Sequence, residues 1–272
     1  EKVFKTFNVD TVYHTAAYKH VPLVEENICE SVKNNVFGTL FIAEMTIKYN
    51  VSNFVLISSD KAVRSTNIMG ATKRLAEICA QSIYDSKNQK TKFAIVRFGN
   101  VLESSGSVIP KFKRQIKEGG PITLTHPDVT RYFMTITEAS QLVIQAGAMA
   151  EKCEVFILDM GESVKIKDLI HKMIKLSGLT IKDNKNLDGD IEVKTIGLRT
   201  GEKLYEELLI GDNPRKTYHK KIQKAQDSFI SFNRLKIDLD YLFNLLEENR
   251  VADVKHMLSE LVPSYQSNSK IV

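Results

Sequence analysis

The sequence predicts an α/β fold, a doubly wound parallel sheet joined to a smaller mixed α/β portion. Through the first third of the 272 residues, short apolar strands alternate with long helices, which is typical of strand–helix–strand units. The strands are apolar without interruption, as expected of parallel strands covered on both faces. One common feature of such sheets is missing: no two of the 13 glycines stand two positions apart, so there is no Gly-x-Gly-x-x-Gly turn.

The first elements are a helix end, a strand and a long helix. Residues 3–7 are predicted to close a helix, and Thr11–His14 has the β-branched and aromatic residues of a short strand. Residues 27–49 are predicted to form one helix because apolar side chains recur at steps of three and four. These side chains are Val32, Val36, Leu40, Ala43 and Ile47.

Two more strands and a second long helix complete the alternation. Residues 54–57 and 93–96 are continuous apolar runs, and residues 68–84 between them have helical periodicity. Crossovers between parallel strands place ligands beyond the carboxyl ends of the strands. We therefore expect functional side chains directly after these strands.

The pattern loosens after residue 100, so we predict a first portion, 1–106, and a second portion, 107–272, from which some elements return to the first sheet. Residues 104–107 and 182–190 are polar and loop-like, and a Gly-Gly-Pro turn begins at 119. Helices are expected at 109–117, 137–150, 165–177, 235–247 and 251–261, and weaker strands near 121–125, 155–158 and 191–196.

Composition and charge exclude several classes of function. The net charge is +5 with basic residues spread along the chain, which suits a phosphate ester and argues against a nucleic-acid partner. No apolar run approaches the roughly 18 residues of a spanning helix, and no signal peptide opens the chain, so we expect a cytoplasmic protein. Cys29, Cys79 and Cys153 lack metal-ligand spacing; reduced, buried thiols and no metal site are expected.

One segment has most of the residues suited to catalysis. Residues 58–61, Ser-Ser-Asp-Lys, follow the strand at 54–57 and therefore lie at its carboxyl end. Met69 and Lys73 follow on the next helix, one turn apart on one face. In isolation Met69 would be core filling and Asp60–Lys61 a solvated pair. Their joint occurrence favours a functional site.

Five segments share one pattern: 12–23 (VYHTAAYKHVPL), 58–74 (SSDKAVRSTNIMGATKR), 96–112 (VRFGNVLESSGSVIPKF), 130–136 (TRYFMTI) and 198–207 (LRTGEKLYEE). Together they resemble the nucleotide-sugar 4,6-dehydratases, extended members of the short-chain dehydrogenase/reductase superfamily with a Rossmann-like fold. That superfamily has a Tyr-x-x-x-Lys helix and uses NAD. Met69 stands in place of the Tyr, which is typical of the large, membrane-anchored UDP-N-acetylglucosamine 4,6-dehydratases of polysaccharide and protein-glycan biosynthesis.

The resemblance implies a reaction on a UDP-N-acetylhexosamine with NAD as cofactor. C4 is oxidised, water leaves across C5–C6, and C6 is reduced. Lys61 is then the base at C5, Asp60 the acid at O6, and Lys73 the group that holds the nicotinamide ribose. Ser59 replaces the family's Thr, and we hypothesise that it receives the O4 proton and relays it through water or Lys73. The predicted catalytic set is Ser59, Asp60, Lys61, Met69 and Lys73.

The resemblance also implies the binding residues. The predicted cofactor-binding set is Ala16, Ala17, Lys19, Asn35, Ser58, Lys73 and Phe98. The predicted substrate-binding set is Lys19, His20, Asn100, Arg131, Arg199 and Glu202. Within these sets the two arginines clamp the diphosphate with planar forks, Glu202 accepts from the ribose hydroxyls, and Asn35 braces the active-site strand through backbone hydrogen bonds.

The resemblance further implies a homo-oligomer, because the equivalents of 27–49 and 68–86 form a four-helix dimer interface in the superfamily. The first residue is not Met, so we expect the glycine-rich cofactor turn and any membrane anchor upstream of Glu1. Two alternatives stay open. One is a UDP-sugar 4-epimerase or reductase, against which Asp60–Lys61 argues because an epimerase needs neither a C5 base nor a C6 acid. The other is a non-catalytic fragment that cannot hold NAD.

Overall fold

The computed structural model describes residues 1–86, 90–199, 201–207 and 214–266. The chain forms two compact units. Unit 1 comprises Glu1–Phe98, Ser140–Asp159 and Glu207–Val272, and unit 2 comprises Gly99–Ala139 and Met160–Glu206. The chain thus passes from unit 1 to unit 2 at residue 99 rather than at the predicted 106, and two later segments return to unit 1.

The helices are α1 (Lys2–Thr6), α2 (Val21–Glu26), α3 (Ile28–Val32), α4 (Gly38–Lys48), α5 (Ile68–Ser86), α6 (Val108–Lys117), α7 (Ile136–Met149), α8 (Ile166–Leu176), α9 (Phe232–Glu247) and α10 (Val251–Leu261). The strands are β1 (Thr11–His14), β2 (Asn53–Ile57), β3 (Lys92–Arg97), β4 (Asn100–Val101), β5 (Ile122–Leu124), β6 (Thr130–Arg131), β7 (Phe133–Met134), β8 (Cys153–Leu158), β9 (Val164–Lys165), β10 (Ile181–Lys182), β11 (Ile191–Thr195), β12 (Arg215–Lys216) and β13 (Ile222–Ala225).

Unit 1 is built on a six-stranded sheet in the order β1-β2-β3-β8-β13-β12. The first four strands are parallel, and β13 and β12 add an antiparallel edge. Phe54, Val55 and Leu56 of β2 are fully buried, as a parallel strand covered on both faces requires. The predicted doubly wound α/β fold is therefore confirmed, with an antiparallel edge that sequence patterning did not predict.

The helix predicted over 27–49 is corrected in one respect. A π-helical turn, Lys33–Phe37, separates α3 from α4. Such a turn adds one residue to a helical repeat and often occurs at functional sites. Here it contains Asn35, whose side-chain contacts are described with the site below.

Helix α5 lies at the centre of unit 1 and buries 15 of its 19 residues. Leu75 and Ile78 pack in one cluster with Leu239 and Leu242 of α9 and Leu258 of α10. Each buried side chain of this size contributes about 1.5–3 kcal/mol. Helices α9 and α10 of the same chain thus cover apolar surface of α5, and the expected homo-oligomer through 27–49 and 68–86 stays a prediction.

Unit 2 contains a three-stranded parallel sheet in the order β10-β11-β5. Ile116 of α6 and Ile170 and Ile174 of α8 pack in a cluster with Ile122 of β5 and Ile191 of β11. Two small pairs complete the unit, β4 with β7 in parallel and β6 with β9 antiparallel. The mixed α/β structure that was predicted for 107–272 is thus found in unit 2, residues 99–139 and 160–206.

The three cysteines are free thiols; Cys29 and Cys79 are buried, whereas Cys153 is only partly buried, which corrects that part of the prediction. Across the described ranges, no helix combines the length and the apolar character that a membrane crossing needs. Those same ranges hold no group of three or more His, Cys, Asp or Glu side chains arranged to bind a metal ion.

Candidate active site

The segment after β2 lies at the carboxyl edge of the unit 1 sheet, as predicted. The amide of Ser58 donates to the carbonyl of Val96 at 2.8 Å, and the amide of Asp60 donates to the carbonyl of Phe98 at 3.1 Å. Ser59 then caps a short 3₁₀ turn, Asp60–Ala62. The ends of β2 and β3 are therefore fixed to each other, and the Ser-Asp-Lys run projects from that junction.

Ser59, Asp60 and Lys61 share one carboxylate oxygen. Asp60 Oδ1 accepts from Ser59 Oγ at 2.8 Å and from Lys61 Nζ at 2.9 Å. The Asp60 side chain is 0% exposed, yet its Oδ2 has no hydrogen-bond partner. Burying a carboxylate oxygen without a donor is costly, so Oδ2 is suited to accept a hydrogen bond from a ligand group.

Lys73 lies beside this turn. Its Nζ donates to the carbonyl of Ile57 at 2.7 Å. Burial lowers the pKa of Lys73 to about 8, although the charge of Glu77 opposes the shift. Gly70 lets the helix come close, because a Cβ there would lie 2.2 Å from the carbonyl oxygen of Lys61. The ammonium group keeps further N–H donors for a ligand.

Two buried polar side chains support the neighbouring strand end. His14, at the end of β1, has its Nε2 2.9 Å from Thr39 Oγ1, and burial, followed by the charge of Lys73, lowers its pKa to about 4. Asn35 binds both the amide and the carbonyl of Tyr18, at 2.7 and 3.0 Å, and donates to Thr72 Oγ1 at 3.0 Å. Asn35 therefore braces the loop after β1 against α5, which corrects its predicted contact with the active-site strand.

Two predicted site residues point elsewhere. Met69 is 3% exposed and packs in the core cluster of α5, α9 and α10, which corrects its place in the predicted catalytic set. The hydroxyl of Ser58 is buried and donates to Glu77, so this side chain serves the interior rather than an open cofactor face.

The other predicted residues of unit 1 lie in loops at the carboxyl edge of the sheet. Ala16, Lys19 and His20 are exposed after β1, Ala17 is half-buried there, and Phe98 is half-buried after β3. Their predicted contacts with a cofactor or a substrate stay predictions.

In unit 2, Arg131 is held by a dense set of acceptors. Its NH1 donates to the carbonyls of Thr130 and Leu204 at 2.7 and 3.3 Å, and its NH2 donates to Glu202 Oε1 at 3.2 Å. Glu206 Oε1 lies 3.6 Å from its Nε. The guanidinium is therefore fixed in one orientation before any ligand binds.

Glu202, which was predicted to accept from the ribose hydroxyls, accepts hydrogen bonds from three protein donors. Its Oε1 also accepts from Thr125 Oγ1 at 2.9 Å, and its Oε2 accepts from the amide of Arg199 at 3.1 Å. With Arg131 these donors fill three of the roughly four acceptor sites of a carboxylate. Glu202 thus holds the loop of Arg199, and the Arg199 side chain is exposed.

Asn100, another predicted substrate contact, is half-buried, and its backbone amide donates to the carbonyl of Tyr132.

Lys111 joins this group and was missed from the sequence. Its Nζ donates to Thr123 Oγ1 at 2.7 Å. Burial lowers the pKa of Lys111, and the charges of Arg199 and Arg114 lower it further, against the opposing charge of Glu202. The positive charges of Lys111 and Arg199 act on the same place, which suits that place to an anion. Lys111 lies in the segment 96–112, which matches the family pattern, and this could have identified it. The helical spacing of its neighbours does not predict a binding role.

A model of the family described as polysaccharide biosynthesis protein matches residues 1–227. The chain is 52% identical over 231 residues to the capsular polysaccharide biosynthesis protein CapD of Staphylococcus aureus, covering 84% of this chain and 37% of that protein. It is 31% identical over 271 residues to a UDP-N-acetylglucosamine 4,6-dehydratase (inverting) of Campylobacter jejuni, covering 97% and 75% of the two chains. It is 35% identical over 210 residues to a UDP-glucose 4-epimerase of Rickettsia canadensis, covering 76% and 58%.

Among solved structures, Pen from Bacillus thuringiensis matches with a TM-score of 0.67 and 41% identity, covering 76% of this chain and 63% of that one. The chain therefore spans little more than a third of the length of the CapD relative and under two thirds of the Pen chain.

Proposed function

The chain belongs to the polysaccharide biosynthesis protein family, and from that premise we propose that it dehydrates a UDP-N-acetylhexosamine, with UDP-N-acetylglucosamine as the first substrate to test. The product is the UDP-4-keto-6-deoxy sugar, a precursor for surface polysaccharide or glycoprotein. Its relatives include both a nucleotide-sugar dehydratase and a 4-epimerase. The observation that favours dehydration is the Ser59–Asp60–Lys61 cluster, with its buried carboxylate oxygen that lacks a donor.

The proposed cofactor is NAD, which supplies the oxidant for C4 and the reductant for C6. Lys73 fits this cofactor because its partly buried ammonium group has N–H donors left at the carboxyl edge of a parallel sheet. In the proposal it holds the nicotinamide ribose, with Ala16, Ala17 and Lys19 after β1 and Phe98 after β3 as further contacts.

The hydrogen bonds of Asp60 suggest how it obtains the proton it gives away. Ser59 receives the O4 proton as C4 is oxidised, and its own proton passes to Asp60, since its hydroxyl donates to Asp60 Oδ1. This route replaces the relay through water or Lys73 predicted from the sequence. Asp60 then protonates the departing O6 hydroxyl, and water leaves.

Lys61 completes the proton balance. As a neutral amine it takes the C5 proton during elimination, and it returns that proton to C5 when C6 is reduced. Its hydrogen bond to Asp60 at 2.9 Å holds it beside the acid of the same step. After one turnover Asp60 is ionised and Lys61 neutral, as at the start, and the substrate has lost one water.

For unit 2, we propose that Lys111 and Arg199 neutralise the diphosphate, while Arg131 is presented in a fixed orientation by Glu202 and Glu206. Lys19, His20 and Asn100 remain proposed substrate contacts.

The test is product analysis with the protein, including any segment that precedes Glu1, together with NAD and UDP-N-acetylglucosamine. We expect a product lighter by one water that reacts as a ketone. A product of unchanged mass with an inverted C4 would establish the epimerase instead, and absence of NAD binding would establish the non-catalytic alternative.

A single-turnover assay then tests Ser59. We expect Ser59→Ala to slow the appearance of reduced-nicotinamide absorbance by about 10²–10⁴-fold, because the O4 proton loses its acceptor. Ser59→Thr is the matched control, since it keeps the hydroxyl. Equal rates for Ser59→Ala and the wild type would refute the proposed role of Ser59.

A further inference from the structure

A group of four charged side chains lies behind the proposed catalytic turn. The Glu77 cluster consists of Glu77 and Arg74 of α5, Arg97 of β3 and Asp227, which follows β13. Each side chain is 5% exposed or less, and the two arginines and two carboxylates balance in charge. The proposed reaction uses none of them.

The cluster is tightly bonded. Arg97 donates two hydrogen bonds to Glu77, from Nε to Oε1 at 2.8 Å and from NH2 to Oε2 at 2.5 Å. Arg74 NH1 adds a third bond to Oε2 at 2.9 Å, and Asp227 binds Arg97 NH2 from the other side. Burial by itself raises the pKa of Glu77, but the charges and hydrogen bonds of these arginines outweigh it and hold the pKa at about 2. Glu77 is therefore a permanent negative charge in the interior.

Glu77 also reaches the proposed active site by two routes. Ser58 Oγ donates to Glu77 Oε1 at 2.5 Å, and Ser58 directly precedes Ser59. Lys73 lies one helical turn before Glu77 on α5, so the carboxylate faces the same side of the helix as the ammonium group. One side chain thus contacts the end of β2 and sets the charge beside Lys73.

Stability is a poor explanation for this arrangement. Buried ion pairs can often be replaced by apolar residues without loss of stability, because desolvation offsets their attraction. The cluster also leaves Arg97 NH1 buried without a hydrogen-bond partner. A cluster that leaves such an unsatisfied group is better explained by the orientation it imposes on Ser58.

We propose that Glu77 is a positioning residue for the dehydratase chemistry: through Ser58 it fixes the strand end that presents Ser59, Asp60 and Lys61, and it supplies the negative charge facing Lys73. This inference rests on the proposed function.

Two titratable side chains are electrostatically linked to Lys73: the charge of Glu77 raises the pKa of Lys73, and the charge of Lys73 lowers the pKa of His14. Glu77 comes from its own helix, and His14 comes from β1. Since the pKa of His14 is about 4, His14 is neutral near pH 7. The charge of Glu77 therefore opposes the lowering of the Lys73 pKa by burial. Removing that charge lowers the pKa of Lys73 further. If ribose binding needs the ammonium form, activity in the variant is lost at a lower pH than in the wild type.

The experiment compares Glu77→Gln with Ser82→Ala. Ser82 is buried on the same helix, and its hydroxyl bonds the carbonyls of Ile78 and Ile230, so its loss weakens α5 without touching Ser58 or Lys73. For Glu77→Gln we expect kcat to fall about 10–100-fold with little change in KM, as for a misplaced catalytic group. In the unliganded chain we expect the Lys73 side-chain NMR signal to titrate about one pH unit lower. Ser82→Ala should lower Tm and leave both readouts unchanged.

Two outcomes would overturn the inference: an unchanged Lys73 titration in folded Glu77→Gln, or equal losses of kcat in both variants. Should Glu77→Gln fail to fold, Ser58→Ala replaces it, because it removes only the bond to the strand end. It should then lower kcat without moving the Lys73 titration, and an unchanged kcat would refute the inference. If the wild type makes no keto sugar, the proposed function fails, while the NMR titration still decides whether Glu77 governs Lys73.

Discussion

The contacts of Lys111 lead to a quantitative prediction about UDP binding. Its ammonium is held at 2.7 Å by Thr123 Oγ1 and keeps further donors, while burial and the nearby charges of Arg199 and Arg114 depress its pKa. A diphosphate placed there reverses the effect of those charges and stabilises the ammonium. Lys111→Met removes this interaction while keeping an unbranched side chain of similar length.

The size of the effect follows from the chemistry of the contact. A hydrogen bond to a charged group is worth about 1.5–3 kcal/mol. Removing Lys111 also relieves its repulsion with Arg199, so we expect the lower end, about 1.5 kcal/mol. That value corresponds to about a tenfold rise in the Kd for UDP.

Calorimetric titration of UDP into the chain tests this prediction. Lys113→Met is the matched control, because Lys113 lies on the same helix with its side chain 61% exposed and paired to Glu103, so we expect less than about a twofold change. In two buffers of different ionisation heat, the wild type should also take up protons on binding at alkaline pH, since the bound anion raises the pKa of Lys111. Equal effects in the two variants, or binding without proton uptake, would refute the assignment.

Two further predictions concern stability. Gly70→Ala places a methyl group 2.2 Å from the carbonyl oxygen of Lys61, so we expect a loss of about 3 kcal/mol in urea unfolding; Gly38→Ala, with no atom nearer than 3.9 Å in helical backbone, should gain about 0.5–1 kcal/mol. For His14, the folded pKa of about 4 lies below the ordinary 6.5, so the unfolded chain binds more protons between these values. The free energy of unfolding should therefore fall by about 3 kcal/mol as pH drops through that window, and a His14→Gln variant with the same pH slope as wild type would contradict this.

The strands that form the centre of the unit 1 sheet could be predicted because burial on both faces leaves an unbroken apolar run, as in Phe54–Ile57. The antiparallel strand β13 could not, because only Ile222 of Ile222–Ala225 is buried and the sequence, Ile-Gln-Lys-Ala, lacks that pattern. The π turn was hidden for a different reason. One residue inserted into a helix leaves the apolar spacing on either side nearly unchanged.

The same contrast holds for the site. Ser59, Asp60 and Lys61 were predictable from a local rule, since they follow a buried strand. The role of Glu77 was not predictable, because it depends on ion pairs between distant residues. Glu77 pairs with Arg97, 20 residues away, and Arg97 pairs with Asp227, a further 130 residues along the chain. Periodicity identifies the buried face of α5 but cannot say which charges meet there.

The long-range contacts of α5 also set the order in which the protein can mature on the ribosome. Arg74 donates to the carbonyl of Ser228, 154 residues later, and Ser82 donates to that of Ile230, 148 residues later. Until α9 and α10 have emerged, the α5 surface that packs against Leu239, Leu242 and Leu258 has no cover from them, and the nascent chain exposes it to water. The helix that bears Lys73 therefore completes its packing only when α9 and α10 are made, although it is translated in the first third of the chain. Such non-local closure slows folding and lengthens the interval in which the nascent chain depends on chaperones.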